Sequence, residues 1–239
     1  MDTGTHHRTV GAWAMSLTAG VFTKNDYAYA EVRSRILTGE LEPGSVISQA
    51  RLADELGVST TPLREAIRRL AAEGMILLEA HRDARVTTVS AHEAKHLYEV
   101  RESVDPLAAR LAAERRTDED ISHMSRALDA LTPLRGAATL DSLMAHREFH
   151  RSIYRASGNP ILIDMLEKLW DKADRYRLIG LRTTSDSADD NARVSAEHQA
   201  LLDAVKAQDA DRAQQTMRDH ITHSLGRRAI TALEEPAVS

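Results

Sequence analysis

The chain has 239 residues, no cysteine, 31 Lys+Arg against 36 Asp+Glu, a net charge of −5, and 42% hydrophobic beside 28% charged residues. This composition excludes a disordered or fibrous chain and suits a globular protein of one large or two modest domains. Net acidity and only 4% aromatic residues exclude a wholly basic nucleic-acid surface or a base-stacking platform, so any nucleic-acid contact must come from a local patch.

Residues 10–22 form a weakly apolar run that is too short and interrupted to span a bilayer, and residues 1–23 read as a loose extension. No membrane is expected as a partner. The absence of cysteine is compatible with a reducing cytosol, and the expected location is cytoplasmic. Sparse punctuation, 11 Gly and 6 Pro, favours long helices over many strands.

The first unit, 24–89, opens with a helix around Tyr27–Leu37 that stops at Thr38-Gly39, followed by a Pro43-Gly44 turn. Ser48 begins a short helix carrying Leu52, Ala53 and Leu56 and closing at Gly57. Ser59 begins the next, with Pro62 in its first turn and Leu63, Ile67 and Leu70 as its buried stripe. Two short helices joined by a glycine turn make a helix-turn-helix. Ile76–Leu78 and Arg85–Val89 read as two strands of a wing around His81-Arg82-Asp83.

In such a unit the start of the second helix enters the major groove, which makes Ser59, Thr60, Thr61 and Arg64 the base-reading candidates. Arg51 and Arg68 are placed to hold phosphates. His81 and Arg82 are placed to follow the backbone or minor groove from the wing. Residues 24–88 hold nine Lys+Arg and ten Asp+Glu, so the inference rests on arrangement and not on bulk charge.

Ser90-Ala91-His92-Glu93 reads as a capping box that opens the second unit, 90–232. Helices are expected at about 93–116, 118–132, 139–156, 160–181, 191–207 and 209–230, with a mobile loop at Arg182–Asn191 and a loose tail at 233–239. The expected fold is therefore mainly α: an N-terminal winged helix-turn-helix followed by an all-helical bundle.

Four histidines in the bundle have informative spacing. His146 and His150 are i and i+4 on one helix face. His198 and His220 each lie eleven residues from Asp209, hence roughly 16 Å from the turn of an antiparallel hairpin at ~1.5 Å per residue, level with each other. Imidazoles from three helices suit zinc, nickel or another late first-row ion and disfavour magnesium. His223 lies one helical step from His220 and is an alternative ligand.

The stripe Leu97, Val100, Val104, Ala108 and Leu111 reads as the apolar face of the first bundle helix, with Arg101 on or beside it. That guanidinium requires an anionic partner: Asp105 at i+4, or the carboxylate of a bound effector.

Residues 39–76 closely resemble the winged-helix reader of the GntR family of bacterial transcription regulators. The resemblance lies in Pro43-Gly44, Leu52-Ala53, Leu56-Gly57-Val58-Ser59, Thr61-Pro62-Leu63-Arg64-Glu65-Ala66 and Glu73-Gly74. Thr60 stands where that family commonly has Arg, and Asp83 where its wing has Gly. Residues 93–231 resemble the FCD ligand-binding domain of the FadR-type branch, through Tyr98-Glu99-Val100-Arg101, Asp105-Pro106, Glu148-Phe149-His150, Gly158-Asn159-Pro160, Glu197-His198 and His220-Ile221. Metal-binding members use an Asp and three histidines; His150, His198 and His220 match the histidines, and His146 stands at the Asp position. In that family the arginine at position 101 often faces the pocket.

The resemblance implies a homodimer on a two-fold DNA operator, most often a repressor released by a small organic-acid effector. Two other readings compete. A metal-dependent hydrolase is disfavoured because Arg147, not a glutamate, follows His146, and because neither a nucleophile elbow nor a phosphate-cradling loop is present. A regulator whose metal and bundle serve structure and dimerisation alone predicts no response of DNA affinity to carboxylates.

Overall fold

The computed structural model describes residues 23–78, 84–131, 140–183 and 188–234. Residues 1–22 of the expected extension, the wing-tip residues His81, Arg82 and Asp83, and residues 235–239 of the expected tail lie outside the described residues, whereas Thr23 caps the first helix and Leu233 and Glu234 are helical. Among the described residues the fold is a winged helix-turn-helix followed by an all-helical bundle.

The reader begins with α1 (Lys24–Leu37), opened by a reciprocal capping box between Thr23 and Asp26. Helices α2 (Gln49–Leu56) and α3 (Thr60–Ala72) follow, and the turn between them hinges on Gly57 at φ 65°, a left-handed conformation that a β-carbon disfavours. Three short strands, β1 (Val46–Ile47), β2 (Ile76–Leu78) and β3 (Ala84–Val86), form an antiparallel sheet in the order β1-β3-β2. Val46 pairs with Arg85 and Ile76 with Val86. Strand β1 is an addition to the predicted elements; two residues are too short to show a period.

The bundle comprises α4 (Ala91–Arg115), α5 (Asp118–Asp129), α6 (Leu140–Ala156), α7 (Pro160–Thr183), α8 (Ala188–Lys206), α9 (Ala210–Thr222) and α10 (Leu225–Glu234). Three expectations need correction. The loop predicted for Arg182–Asn191 is largely helix, since α7 extends to Thr183 and α8 begins at Ala188. The helix predicted over 209–230 breaks at His223 and Ser224, and a separate α10 packs on α7. The Ser90 box is half formed: the Ser90 hydroxyl accepts from the Glu93 N–H, but the Glu93 carboxylate accepts instead from Tyr176 Oη and Lys172 Nζ.

The buried face of α4 is also rotated from the predicted stripe. Ala94, Tyr98, Ala108, Ala109, Ala112 and Ala113 are fully buried, whereas Val100 is 44% exposed. Small side chains on this face let α9 approach closely. Gly226 permits a similar approach: a β-carbon there would stand 1.6 Å from Tyr98 Oη.

Reader and bundle share packing. Leu143 of α6 and Leu178 of α7 join the cluster built by Val32, Ile36, Leu63, Ile67 and Val86. Arg175 of α7 donates to the Thr87 carbonyl. Helix α7 is thus common to both halves.

Candidate functional site

The helix-turn-helix presents Ser59, Thr60, Thr61, Arg64, Arg51 and Arg68 to solvent, while Leu63, Ile67 and Leu70 face inward. Ser59 occupies the N-cap position of α3, but its side chain makes no cap hydrogen bond, contrary to the expected cap. Ser59, Thr60 and Thr61 are exposed and the first turn is not capped by the Ser59 hydroxyl, an arrangement suited to a phosphate. Among the described residues Arg64 has a neutral partner alone, Gln49 Oε1 at 3.4 Å. Arg51 and Arg68 pair with Glu55 and Glu65 at 2.8 and 2.6 Å, exposed contacts that a phosphate readily displaces. His81 and Arg82 lie outside the described residues.

In the bundle, α6 contributes His146 and His150, α8 contributes His198 and α9 contributes His220. One nitrogen from each lies within 4.8 Å of all the others. The ring centroids of His146 and His150 are 4.7 Å apart, as are those of His198 and His220. His223 is an exposed cap residue whose Nδ1 meets the Asp219 carbonyl, away from this set.

The electrostatics suit metal ligation. Burial holds His146, His150 and His198 well below the ordinary imidazole pKa, with Arg177 adding to the effect on His146 and neighbouring imidazoles to that on His150 and His198. All three are neutral near pH 7, the form whose lone pair ligates a metal. Among the described residues, His146 Nδ1, both ring nitrogens of His150 and His198 Nε2 are buried without hydrogen-bond partners. Glu197, kept ionised chiefly by its bonds to His220 and Arg193 against the cost of burial, accepts from His220 Nδ1 at 2.8 Å. That contact assigns the proton to Nδ1 and frees Nε2 for the centre.

Nitrogens about 2.0–2.1 Å from one ion stand at most ~4 Å apart, so the four imidazoles need only a small inward movement to hold one. The residues present fit a nitrogen-preferring cation. The set includes no carboxylate to offset the charge of a bound cation.

Behind the histidines, Arg101 is 1% exposed and is gripped by Asp105, with Nη2 to Oδ2 at 2.7 Å. Tyr154 Oη donates to the same Asp105 oxygen at 2.8 Å and accepts from Trp170 Nε1 at 2.9 Å. Arg101 also lies over the Trp170 ring, 4.6 Å from its centroid. Of the two partners open to Arg101 in the sequence, the internal one is thus present. Glu148 pairs with Arg151 and Arg155 and takes no part in the histidine set.

Arg177 and the Trp170–Tyr154 pair are not marked in the sequence, and Glu197 stands there only within the Glu197-His198 motif, without a role. Glu197 could be marked only by its place beside His198; the others come from sequence positions far from their partners.

Comparison with known proteins agrees with this architecture. Residues 24–86 match the family described as "Bacterial regulatory proteins, gntR family", and residues 96–223 match the FCD domain. The chain is 28% identical over 198 residues to the HTH-type transcriptional repressor GlaR of Escherichia coli, covering 81% of this chain and 90% of that protein. It is 27% identical over 228 residues to the galactonate operon transcriptional repressor of the same organism, covering 85% and 96%. The solved structure of E. coli McbR/YncC shares the fold, with a TM-score of 0.71 at 22% identity over 88% of this chain and 97% of that one. The chain belongs to the GntR family of bacterial transcription regulators, with an FCD domain as its second half, and is not an enzyme.

Proposed function

We propose that this GntR-family regulator is a homodimeric, cytoplasmic repressor. Its readers bind a two-fold DNA operator, and its bundle binds a divalent transition metal and a small organic acid that changes operator affinity. The observation that carries the reading is the convergence of four imidazoles, three of them held neutral, on one buried point. Zinc is the first expectation, with nickel or another late first-row ion as alternatives.

His146, His150, His198 and His220 would supply the ligand nitrogens, and Glu197 would orient His220. A bound ion offers positive charge to an acidic effector. The all-histidine set leaves that charge uncompensated, which favours a carboxylate near it. A relative named for a galactonate operon, and so for a sugar acid, supports an organic-acid effector.

Arg64 would read base edges, with Ser59, Thr60 and Thr61 at the helix start and Arg51, Arg68, His81 and Arg82 along the backbone. Dimer formation follows from the need for two readers on a symmetric site. Val100 and Leu107, 44% and 40% exposed and seven residues apart on α4, offer an apolar strip to a second copy. The effector acts through unequal affinity for two arrangements of the readers.

Elemental analysis of the purified protein, joined to melting temperatures with and without chelator across carboxylates from acetate to D-galactonate, tests the reading. Stoichiometric transition metal, lost in the His198→Ala/His220→Ala variant, and a carboxylate-dependent rise in melting temperature that chelator removes are expected. Full metal occupancy in the double variant would defeat the metal site. Metal without any carboxylate response would reduce the bundle to a structural and dimerising role.

A further inference from the structure

The two faces of α7 look toward different halves of the molecule. Trp170 and Arg177, seven residues apart, lie on the side of the histidines; Trp170 is centred 5.1 Å from His150, and the Arg177 guanidinium sits 5.0 Å from the Trp170 ring. Asp171, Asp174 and Leu178 lie toward the reader, where Arg33 of α1 reaches Asp171 and Asp174 at 3.5 and 3.2 Å.

Asp174 is fully buried and is shared by Arg33, by Arg147 at 3.1 Å and by Arg177 at 3.2 Å. The three arginines hold its carboxyl below the ordinary pKa against the opposing effect of burial. Arg33 and Arg147 have further carboxylates: both reach Asp171, and Arg147 also reaches Glu167. Among the described residues, the one carboxylate that pairs with Arg177 is Asp174, and Arg177 Nη2 is buried without a hydrogen-bond partner; the residue is 3% exposed. A buried guanidinium with one arm unmet, beside imidazoles of which three are held neutral, offers that arm to an anion.

We propose that Arg177 receives the effector's carboxylate and that Asp174, which it shares with Arg33, ties the posture of the reader to whether that carboxylate is present. The inference rests on the organic-acid reading above. A carboxylate that engages Arg177 withdraws it from Asp174, which leaves a larger share of that buried charge to Arg33 and tightens the junction between α7 and the reader. The reader then favours one posture over others, which gives the effector and DNA the reciprocal coupling that allostery requires. Arg147, on the residue after His146, adds a second tie between the histidine helix and the same carboxylate.

Calorimetric titration of the full-length protein with acetate and with D-galactonate provides the test. Each titration is repeated in the presence of a DNA fragment selected by the wild type from a random pool. Arg177→Gln should weaken the probe at least ~10-fold. Arg177→Lys, which keeps a cation for Asp174 but lacks the second arm, should do the same and carries the test if the glutamine variant does not fold. Arg33→Gln, whatever its own affinity for the probe, should lose most of the change in probe affinity that DNA causes. Wild-type affinity in both Arg177 variants, or unchanged coupling in Arg33→Gln, would overturn the inference while leaving the effector reading intact. A wild type that ignores both probes would sink the two together.

Discussion

Arginine is used in opposite ways by the two halves of this regulator. On the reader, Arg51 and Arg68 have side chains 81% and 68% exposed, each holding one nearby carboxylate on its own helix. In the bundle, Arg101, Arg147 and Arg177 are 1–8% exposed by side chain and are tied to Asp105, Asp171, Asp174 and Glu167. An exposed pair costs little to break, so its cation is free for phosphate. A buried pair is costly to break, so its cations hold geometry and respond to charge brought into the same interior. On the proposed function, recognition sits where charge is loosely held, and sensing where it is tightly held.

The strongest way to break this contrast is at Asp174. Replacing it by Ala leaves Arg33, Arg147 and Arg177 facing one another with a shared anion removed, and should lower stability by about 3–5 kcal/mol in urea unfolding. A loss no larger than that of an exposed pair would show that the interior is wet and that the contrast between the halves is false.

Acid provides a second test. The bonds of Glu167 to Arg151 and Arg147 outweigh its burial and hold its carboxyl at about 2, against an ordinary 4.5. A depressed carboxylate adds stability that is complete above the unfolded value and is lost as pH falls through the folded one. Stability should therefore decline between pH 4.5 and about 2, by about 2 kcal/mol once partial exposure is allowed for. Glu167→Gln should flatten unfolding free energy across that window; an unchanged slope would remove Glu167 from the account.

How far the sequence reveals each half follows the same division. The reader's turns are written in local signals, Gly57 and the starts at Ser48 and Ser59, so its helices are legible from neighbouring residues. The level placement of His198 and His220 is legible too, because one turn at Asp209 relates them. What remained hidden depends on distant pairings: Arg33 meets Asp174 across 141 residues, and Arg177 gains its meaning only from what surrounds it. The α4 face is hard to read for a related reason, since alanines such as Ala109 and Ala112 carry little weight in an apolar pattern but are what close packing against α9 demands. The break at His223 likewise follows from α10 folding back on α7, with Gly226 against Tyr98.

On the reader the sharpest expectation concerns Arg64, exposed at the start of α3 and, among the described residues, with no carboxylate to release. Arg64→Ala should cost about 1–3 kcal/mol of specific DNA binding and relax the preference at one base position, with the melting temperature unchanged. Equal loss on specific and random DNA would reassign it to the phosphate backbone.

Arg68 should give the smallest effect and the cleanest contrast with Arg64. It lies one turn further along α3, and its nearest partner is Glu65 at 2.6 Å, an exposed contact within the helix. A phosphate and Glu65 compete for the same guanidinium, and the exchange releases a counterion from DNA without reading a base. Arg68→Ala should therefore weaken binding to all sequences alike and reduce the slope of log affinity against log salt by about one. The measurement is a salt series on the selected fragment and on scrambled DNA. A slope that stays the same would mean that Arg68 remains with Glu65 and faces away from the duplex, which would tilt the docking of α3 toward Thr60 and Arg64.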